Sequence, residues 1–124
     1  MKSNPRISEA ELQLLQLLWE ESPLGATDIA ERVPADRDWG LATVKTLLSR
    51  LLAKGAVTAE REGRRFSYWP AVERQTIAAG QADRLIDRLF GGRVSPLVAQ
   101  LAEQRELDPD DLDELEALIR SLRK

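Results

Sequence analysis

The fold is decided by fifteen residues in the middle of the chain, LATVKTLLSRLLAKG, at positions 41–55. Apolar side chains recur there at the spacing of one face of an α-helix, namely Leu41, Val44, Leu47, Leu48, Leu51 and Leu52. This stripe predicts an amphipathic helix whose whole apolar face is core. Gly40 is expected to cap its start, with Trp39 packing on Val44, and Gly55 is expected to end it in the left-handed conformation.

The opposite face of this helix is small, polar and basic. A helical wheel groups Ala42, Thr46, Ser49 and Ala53, with Thr43, Lys45, Arg50 and Lys54 on the flanks. Small residues allow close approach to another surface, and hydroxyl and cationic groups suit phosphate oxygens and base edges. The pattern predicts contact with DNA, and an ordinary solvated helix face is the alternative.

Charge is distributed unevenly along the 124 residues. The net charge is −3, which by itself argues against a nucleic-acid partner. Counted by segment, however, residues 39–70 carry +4, whereas residues 7–38 carry −6 and residues 71–124 carry −3. No acidic residue lies between Trp39 and Ala59. The basic block coincides with the central helix and the segment that follows it, so the local charge favours a nucleic-acid surface.

Two helices are predicted before the central one and a β-hairpin after it. Ser8-Glu9-Ala10-Glu11 fits a capping box for a helix that runs to about Glu21. A short helix from Ala26 or Thr27 reaches Val33 and is stopped by Pro34. Residues 57–61 and 64–69 alternate as strands around the turn Glu62-Gly63.

Three helices followed by a hairpin is the order of a winged helix-turn-helix module. In that fold the third helix enters the major groove and the hairpin wing lies on the DNA backbone. The predicted class is mainly α with a small β-hairpin. Arg64 and Arg65 are expected to contact phosphates from the wing, and a charged edge that discourages strand pairing is the alternative.

The remaining residues, 71–124, predict three amphipathic helices. The first runs from Val72 to Phe90, the second starts at Ser95-Pro96, and the third starts at Asp108-Pro109. Because such a segment makes a thin core by itself, we expect a DNA-binding domain of residues 1–70 and a helical dimerisation domain of residues 71–124. A monomer with these helices folded back is the alternative. The predicted dimer contacts are Leu85, Leu89, Leu97, Leu101, Leu112, Leu115, Ile119 and Leu122.

Composition argues against catalysis and cofactors. The chain has no Cys and no His, which removes thiolate nucleophiles, disulfides and the usual metal ligands and general base. An enzyme built on Asp108, Asp110, Asp111 and Asp113 is a further alternative, but these carboxylates suit a helix N-cap and first turn. The absence of an 18-residue apolar run or a signal-peptide core predicts a cytoplasmic protein that does not insert into a membrane.

Several motifs together resemble one family of bacterial regulators. These are Ile7-Ser8 through Leu17-Leu18-Trp19, the segment TVKTLLSRL at 43–51, Lys54-Gly55, the wing GRRFSY at 63–68, and Leu89-Phe90-Gly91-Gly92. The chain resembles the penicillinase-repressor family, the BlaI/MecI/CopY type. The resemblance implies a homodimeric repressor of palindromic operators. It also implies that base-reading and phosphate-contacting positions fall on Ala42, Thr43, Lys45, Thr46 and Arg50.

The resemblance also bears on how DNA is released. The copper-responsive branch uses a cysteine cluster, which this sequence lacks. The β-lactam-responsive branch is cut in its dimerisation domain by a membrane sensor protease, and the corresponding bond is Gln100-Leu101. The alternative for Leu101 is a core residue of a short helix. A winged-helix module that binds a partner protein remains the alternative function.

Overall fold

The computed structural model describes residues 6–123, which form six α-helices and one β-hairpin. The helices are α1 (Glu9–Glu20), α2 (Ala26–Arg32), α3 (Leu41–Ala53), α4 (Arg74–Leu89), α5 (Val94–Gln104) and α6 (Pro109–Leu122). The strands are β1 (Val57–Glu62) and β2 (Arg65–Pro70). A 3₁₀ turn, Ala35–Arg37, lies between α2 and α3 and was not predicted from the sequence. The predicted class, mainly α with a small hairpin, is confirmed.

The ends of α1 and α3 are formed as predicted. The Ser8 hydroxyl accepts from the Glu11 N–H at 3.1 Å, and the Ser8 N–H donates to Glu11 Oε1 at 2.9 Å, which completes a capping box. Gly40 is the N-cap of α3. Gly55 has φ 74°, and the adjacent Ala56 N–H donates to the Leu51 carbonyl at 2.9 Å. Local capping chemistry therefore sets both helix ends.

The hydrophobic core is formed where α1, α2, α3 and the hairpin pack together. Its fully buried side chains are Leu14, Leu15, Leu18, Ile29, Val44, Leu48 and Leu51. The prediction that the whole α3 stripe is core was wrong for Leu41 and Leu52, each 40% exposed. Both lie at the edge of the stripe that borders the outward face of α3, one at the start of the helix and one near its end.

The hairpin is an antiparallel pair in which Val57 lies opposite Pro70 and Glu62 opposite Arg65. The turn is therefore Gly63-Arg64, one residue later than predicted, and Gly63 has φ 63° there. Leu24 forms a bridge to Tyr68, with backbone N···O distances of 2.9 and 3.2 Å. This bridge ties the loop before α2 to the wing.

The first compact unit ends at Gln81 and the second begins at Ala82, both within α4. In the first unit, Trp19 Nε1 donates to the Val72 carbonyl at 2.9 Å, and the Arg74 guanidinium lies 5.4 Å from the Trp19 ring centroid. Ile77 joins the core. These contacts anchor the start of α4 on α1.

The second unit consists of the end of α4 together with α5 and α6. Asp108 caps α6 and accepts from the Asp110 N–H at 2.9 Å, with Pro109 at the first helical position, as predicted. The prediction that Ser95 caps α5 was wrong, because α5 begins at Val94 after Arg93. Pro96 is accommodated at the third position because N–H groups of the first turn need no helical acceptor. None of the helices in residues 6–123 is long and apolar enough to cross a membrane.

Candidate nucleic-acid interface

The outward face of α3 presents every predicted base-reading residue to solvent. Ala42, Thr43, Lys45, Thr46, Ser49 and Arg50 are all exposed. The face is held outward because Val44, Leu47, Leu48 and Leu51 on the other side are anchored in the core. The result is a helix whose accessible surface carries small, hydroxyl and cationic groups.

Thr46 is oriented by its own helix. Its hydroxyl donates to the Ala42 carbonyl at 3.0 Å. With its hydrogen engaged, the oxygen can still accept a hydrogen bond from an exocyclic amino group of cytosine or adenine. Its methyl group also lies on a helix face that includes the methyl of Ala42, which suits contact with a thymine methyl.

α3 and the wing line a common cleft of about 410 Å³. Lys45 lines it from α3, and Arg64 and Arg65 line it from the hairpin. Lys45, Arg50, Arg64 and Arg65 form no ion pair in the described chain, where the two salt bridges are Arg32–Glu21 and Lys54–Glu11. The structure thus assembles exposed, unpaired cations from segments separated by some twenty positions.

The cleft also contains residues that the sequence did not single out. Thr27 at the start of α2 and Ser67 on β2 place hydroxyl groups along its lining. Asp28 and Glu31 of α2 line it as well. Thr27, Asp28 and Glu31 belong to α2, which the sequence predicted only as a short helix, so only the packing of α2 beside the wing reveals their position in the cleft.

Lys54 is placed differently from the other predicted phosphate ligands. Its Nζ lies 2.5 Å from Glu11 Oε1 and 2.6 Å from the Arg6 carbonyl oxygen. The ammonium thus donates hydrogen bonds to two protein oxygens, and the Lys54 side chain is one-third exposed. The helical wheel placed Lys54 on the flank of the DNA face, but a buried carboxylate from α1 lies within its reach.

Glu11 remains ionised in this setting. Burial of the carboxyl opposes ionisation, but the hydrogen bond from Lys54, those from Ser8 and the Lys54 charge outweigh it. The pKa of Glu11 is therefore below its ordinary value. A charged carboxylate and a charged ammonium face each other where α1 meets the end of α3.

The predicted dimer residues lie on the second unit with much of their surface free. Leu85 and Leu97 are half-buried, whereas the others are exposed: Leu89, Leu101, Leu112, Leu115, Ile119 and Leu122. Gln100 and Leu101 lie inside α5, and both are exposed. Leu101, at 40% exposure, is not a core residue of the single chain.

The described part of the chain provides little for metal chemistry. Residues 6–123 contain no group of three or more His, Cys, Asp or Glu side chains placed to hold a metal ion. Asp108, considered above as part of an alternative enzyme site, is the N-cap of α6.

Comparison with known proteins gives a consistent result. The family model of the penicillinase repressor matches residues 7–121. The penicillinase repressor of Bacillus licheniformis is 27% identical over 119 residues, which cover 96% of this chain and 93% of that protein. The methicillin resistance regulatory protein MecI of Mammaliicoccus sciuri is 28% identical over 113 residues, covering 91% and 92%.

Solved structures agree with the sequence comparison. The solution structure of the DNA-binding domain of the repressor BlaI superimposes with a TM-score of 0.53 at 33% identity, covering 61% of this chain and 93% of that one. Monomeric BlaI of Bacillus licheniformis in complex with the blaP half-operator gives a TM-score of 0.51 at the same identity and coverage. Two of these relatives, the penicillinase repressor and BlaI, are repressors, and MecI is a regulatory protein. The chain therefore belongs to the penicillinase repressor family of winged-helix, DNA-binding transcription regulators.

Proposed function

We propose that this protein is a sequence-specific transcriptional repressor that binds palindromic operator DNA as a homodimer. The observation that carries the proposal is the cleft where Lys45 of α3 meets Arg64 and Arg65 of the wing, all three without an ion-pair partner. Asp28 and Glu31 line the same cleft but form no salt bridge with these three side chains, and cations without an ion-pair partner are ready to neutralise phosphates. The cleft adjoins the outward face of α3, whose side chains are small enough for the helix to enter a major groove.

The residues divide into two roles in this proposal. Arg64 and Arg65 bind phosphates, which fixes the register of the module on the duplex without reading its sequence. Thr43, Thr46 and Ser49 lie toward base edges, where hydroxyl groups distinguish one base pair from another. Lys45 and Arg50 flank these residues, so they neutralise phosphates as well as reaching base edges. Ala42 supplies a methyl contact to thymine.

The relatives support this assignment. BlaI of Bacillus licheniformis has been solved with the blaP half-operator, and its DNA-binding domain matches the fold of the module described above. We assign DNA binding to the first unit, which the sequence predicts as residues 1–70 and which extends into α4, and dimerisation to the second.

The second unit supports the homodimer through its uncovered apolar surface. Leu112, Leu115, Ile119 and Leu122 recur along one face of α6, and all four are exposed in the single chain. A second copy would cover this face and would place two recognition helices on successive half-sites.

Derepression is proposed to follow cleavage of Gln100-Leu101 by a membrane sensor protease, with the repressor itself in the cytoplasm. The bond lies in the second turn of α5, between its seventh and eighth residues, so a protease must unwind that helix to reach an extended backbone. Cutting α5 would divide the second unit and so weaken the proposed dimer.

Selection from a randomised DNA pool tests the proposal. Purified protein should enrich a palindrome whose half-site centres lie about 10 base pairs, or a multiple of that, apart. If no sequence is enriched, the module does not read bases, and the protein-interaction alternative is favoured.

A further inference from the structure

The junction between the recognition helix and the wing contains an ion pair whose carboxylate is buried and which has no role in the proposed DNA contacts. Glu11 is 1% exposed and is the one buried polar or charged residue in the part of the chain that the structure describes. Its Oε1 accepts from the Ser8 N–H and from Lys54 Nζ, which also donates to the Arg6 carbonyl. One carboxylate thus connects the chain before α1, the first turn of α1 and the end of α3.

Lys54 occupies the point where α3 becomes the wing. It is the C-cap of α3 and is followed by the left-handed Gly55, after which β1 begins at Val57. A fixed Lys54 therefore fixes the end of the recognition helix and the first strand of the wing against α1.

Exchange of Glu11 for a DNA phosphate as the partner of Lys54 is unfavourable. A phosphate that captured Lys54 would leave the Glu11 carboxylate buried without its cation, which is strongly unfavourable. In the described part of the chain, no carboxylate forms an ion pair with any of the other four cations, which are Lys45, Arg50, Arg64 and Arg65.

We propose that Glu11 and Lys54 form a positioning pair that orients α3 and the wing for operator recognition, and that Lys54 does not bind phosphate. This inference rests on the proposed function. Buried ion pairs hold specific geometry in some proteins, and here the pair holds the element that reads bases.

The test compares Lys54→Met with Lys45→Met, the same substitution at an exposed, unpaired lysine of the same helix. Binding to a duplex selected by the wild type and to a shuffled duplex is measured by fluorescence anisotropy over a salt series. Circular dichroism melts set a temperature at which each variant is folded. Lys45→Met should make the log-log salt slope shallower by about 0.9 per protomer, the value for one lost phosphate contact.

Lys54→Met should instead leave the slope unchanged and lower affinity for the selected duplex about tenfold, within the range for a misplaced base contact. Affinity for the shuffled duplex should change by less than about twofold, because non-specific binding depends on phosphate charge. Lys54→Arg, which keeps a cation for Glu11, should restore selectivity.

Glu11→Gln tests the same pair from the other side and serves if Lys54→Met does not fold. Gln retains an oxygen for the Ser8 N–H but no charge for Lys54. Loss of selectivity with an unchanged slope supports the positioning role. A steeper slope with tighter binding to the shuffled duplex would mean that Lys54 is a phosphate ligand masked by Glu11, and would overturn it.

Two further results overturn the inference. One is a Lys54→Met slope as shallow as that of Lys45→Met, and the other is unchanged affinity for both duplexes. Wild-type protein that enriches no duplex in the selection, or that binds the selected and shuffled duplexes equally, refutes the proposed function itself, which separates that failure from failure of the positioning role.

Discussion

Neutralising the wing is expected to weaken DNA binding without changing its sequence preference. Arg64 lies in the hairpin turn and Arg65 begins β2, and both are exposed and unpaired at the cleft. Each phosphate contact contributes about 0.9 to the log-log salt slope, so the double variant Arg64→Ala/Arg65→Ala should be shallower by about 1.8 per protomer. Between 50 and 200 mM salt, the wild type should then lose about twelvefold more affinity per protomer than the variant.

The assay is fluorescence anisotropy on selected and shuffled duplexes over that salt range. The matched control is Arg32→Ala, which removes an arginine of α2 whose Nε already lies 3.2 Å from Glu21 Oε1. The control should leave the slope unchanged, and the wing variant should lose affinity equally on both duplexes because phosphate contacts carry no sequence information. An unchanged slope in the wing variant, or an equal change in the control, refutes the assignment of phosphate binding to the wing.

Three other substitutions test the recognition helix, the Glu11–Lys54 pair and the dimer surface separately. Thr46→Val should weaken the binding free energy for the selected duplex by about 1–3 kcal/mol and that for the shuffled duplex very little. Ser121→Ala, which removes a similar hydrogen bond from a hydroxyl to the backbone in α6, should leave binding to both duplexes unchanged. The pKa of Glu11 is lower in the folded state than in the unfolded state. The ionised carboxylate therefore stabilises the folded protein above the unfolded-state pKa, and this contribution is lost as pH falls through the folded-state pKa. Glu11→Gln should therefore cost about 1–3 kcal/mol in urea unfolding at pH 7, with the difference narrowing toward pH 3, and a constant difference would contradict the ion pair. Leu115→Glu should yield monomers in sedimentation equilibrium, whereas Glu116→Gln should not, and dimers of Leu115→Glu would refute the proposed interface.

The sequence predicts those parts of the fold that are governed by local chemistry. The capping box at Ser8, the left-handed Gly55 and the cap at Asp108 depend on neighbours within a few residues, and all three are formed. The period of the α3 stripe also correctly predicts which face of the helix is outward. Local rules are sufficient here because each interaction closes within one or two helical turns.

Features that depend on tertiary packing could not be predicted from the sequence. Leu41 has the same spacing as its buried neighbours, yet it is 40% exposed in the folded chain. Lys54 matches Lys45 in type and helix, yet only the fold places it beside Glu11, 43 positions earlier. The cleft likewise requires α2 to lie beside the wing, which no spacing within α2 indicates.

The most direct test of the central claim is the wild-type affinity for the selected duplex and the shuffled duplex across a salt series. We expect a log-log slope of roughly −5 to −9 for a dimer, together with binding to the selected duplex at least about 10³-fold tighter than to the shuffled one. Equal affinities for the two duplexes, or a slope near zero, would contradict the claim that α3 and the wing form a sequence-specific DNA interface.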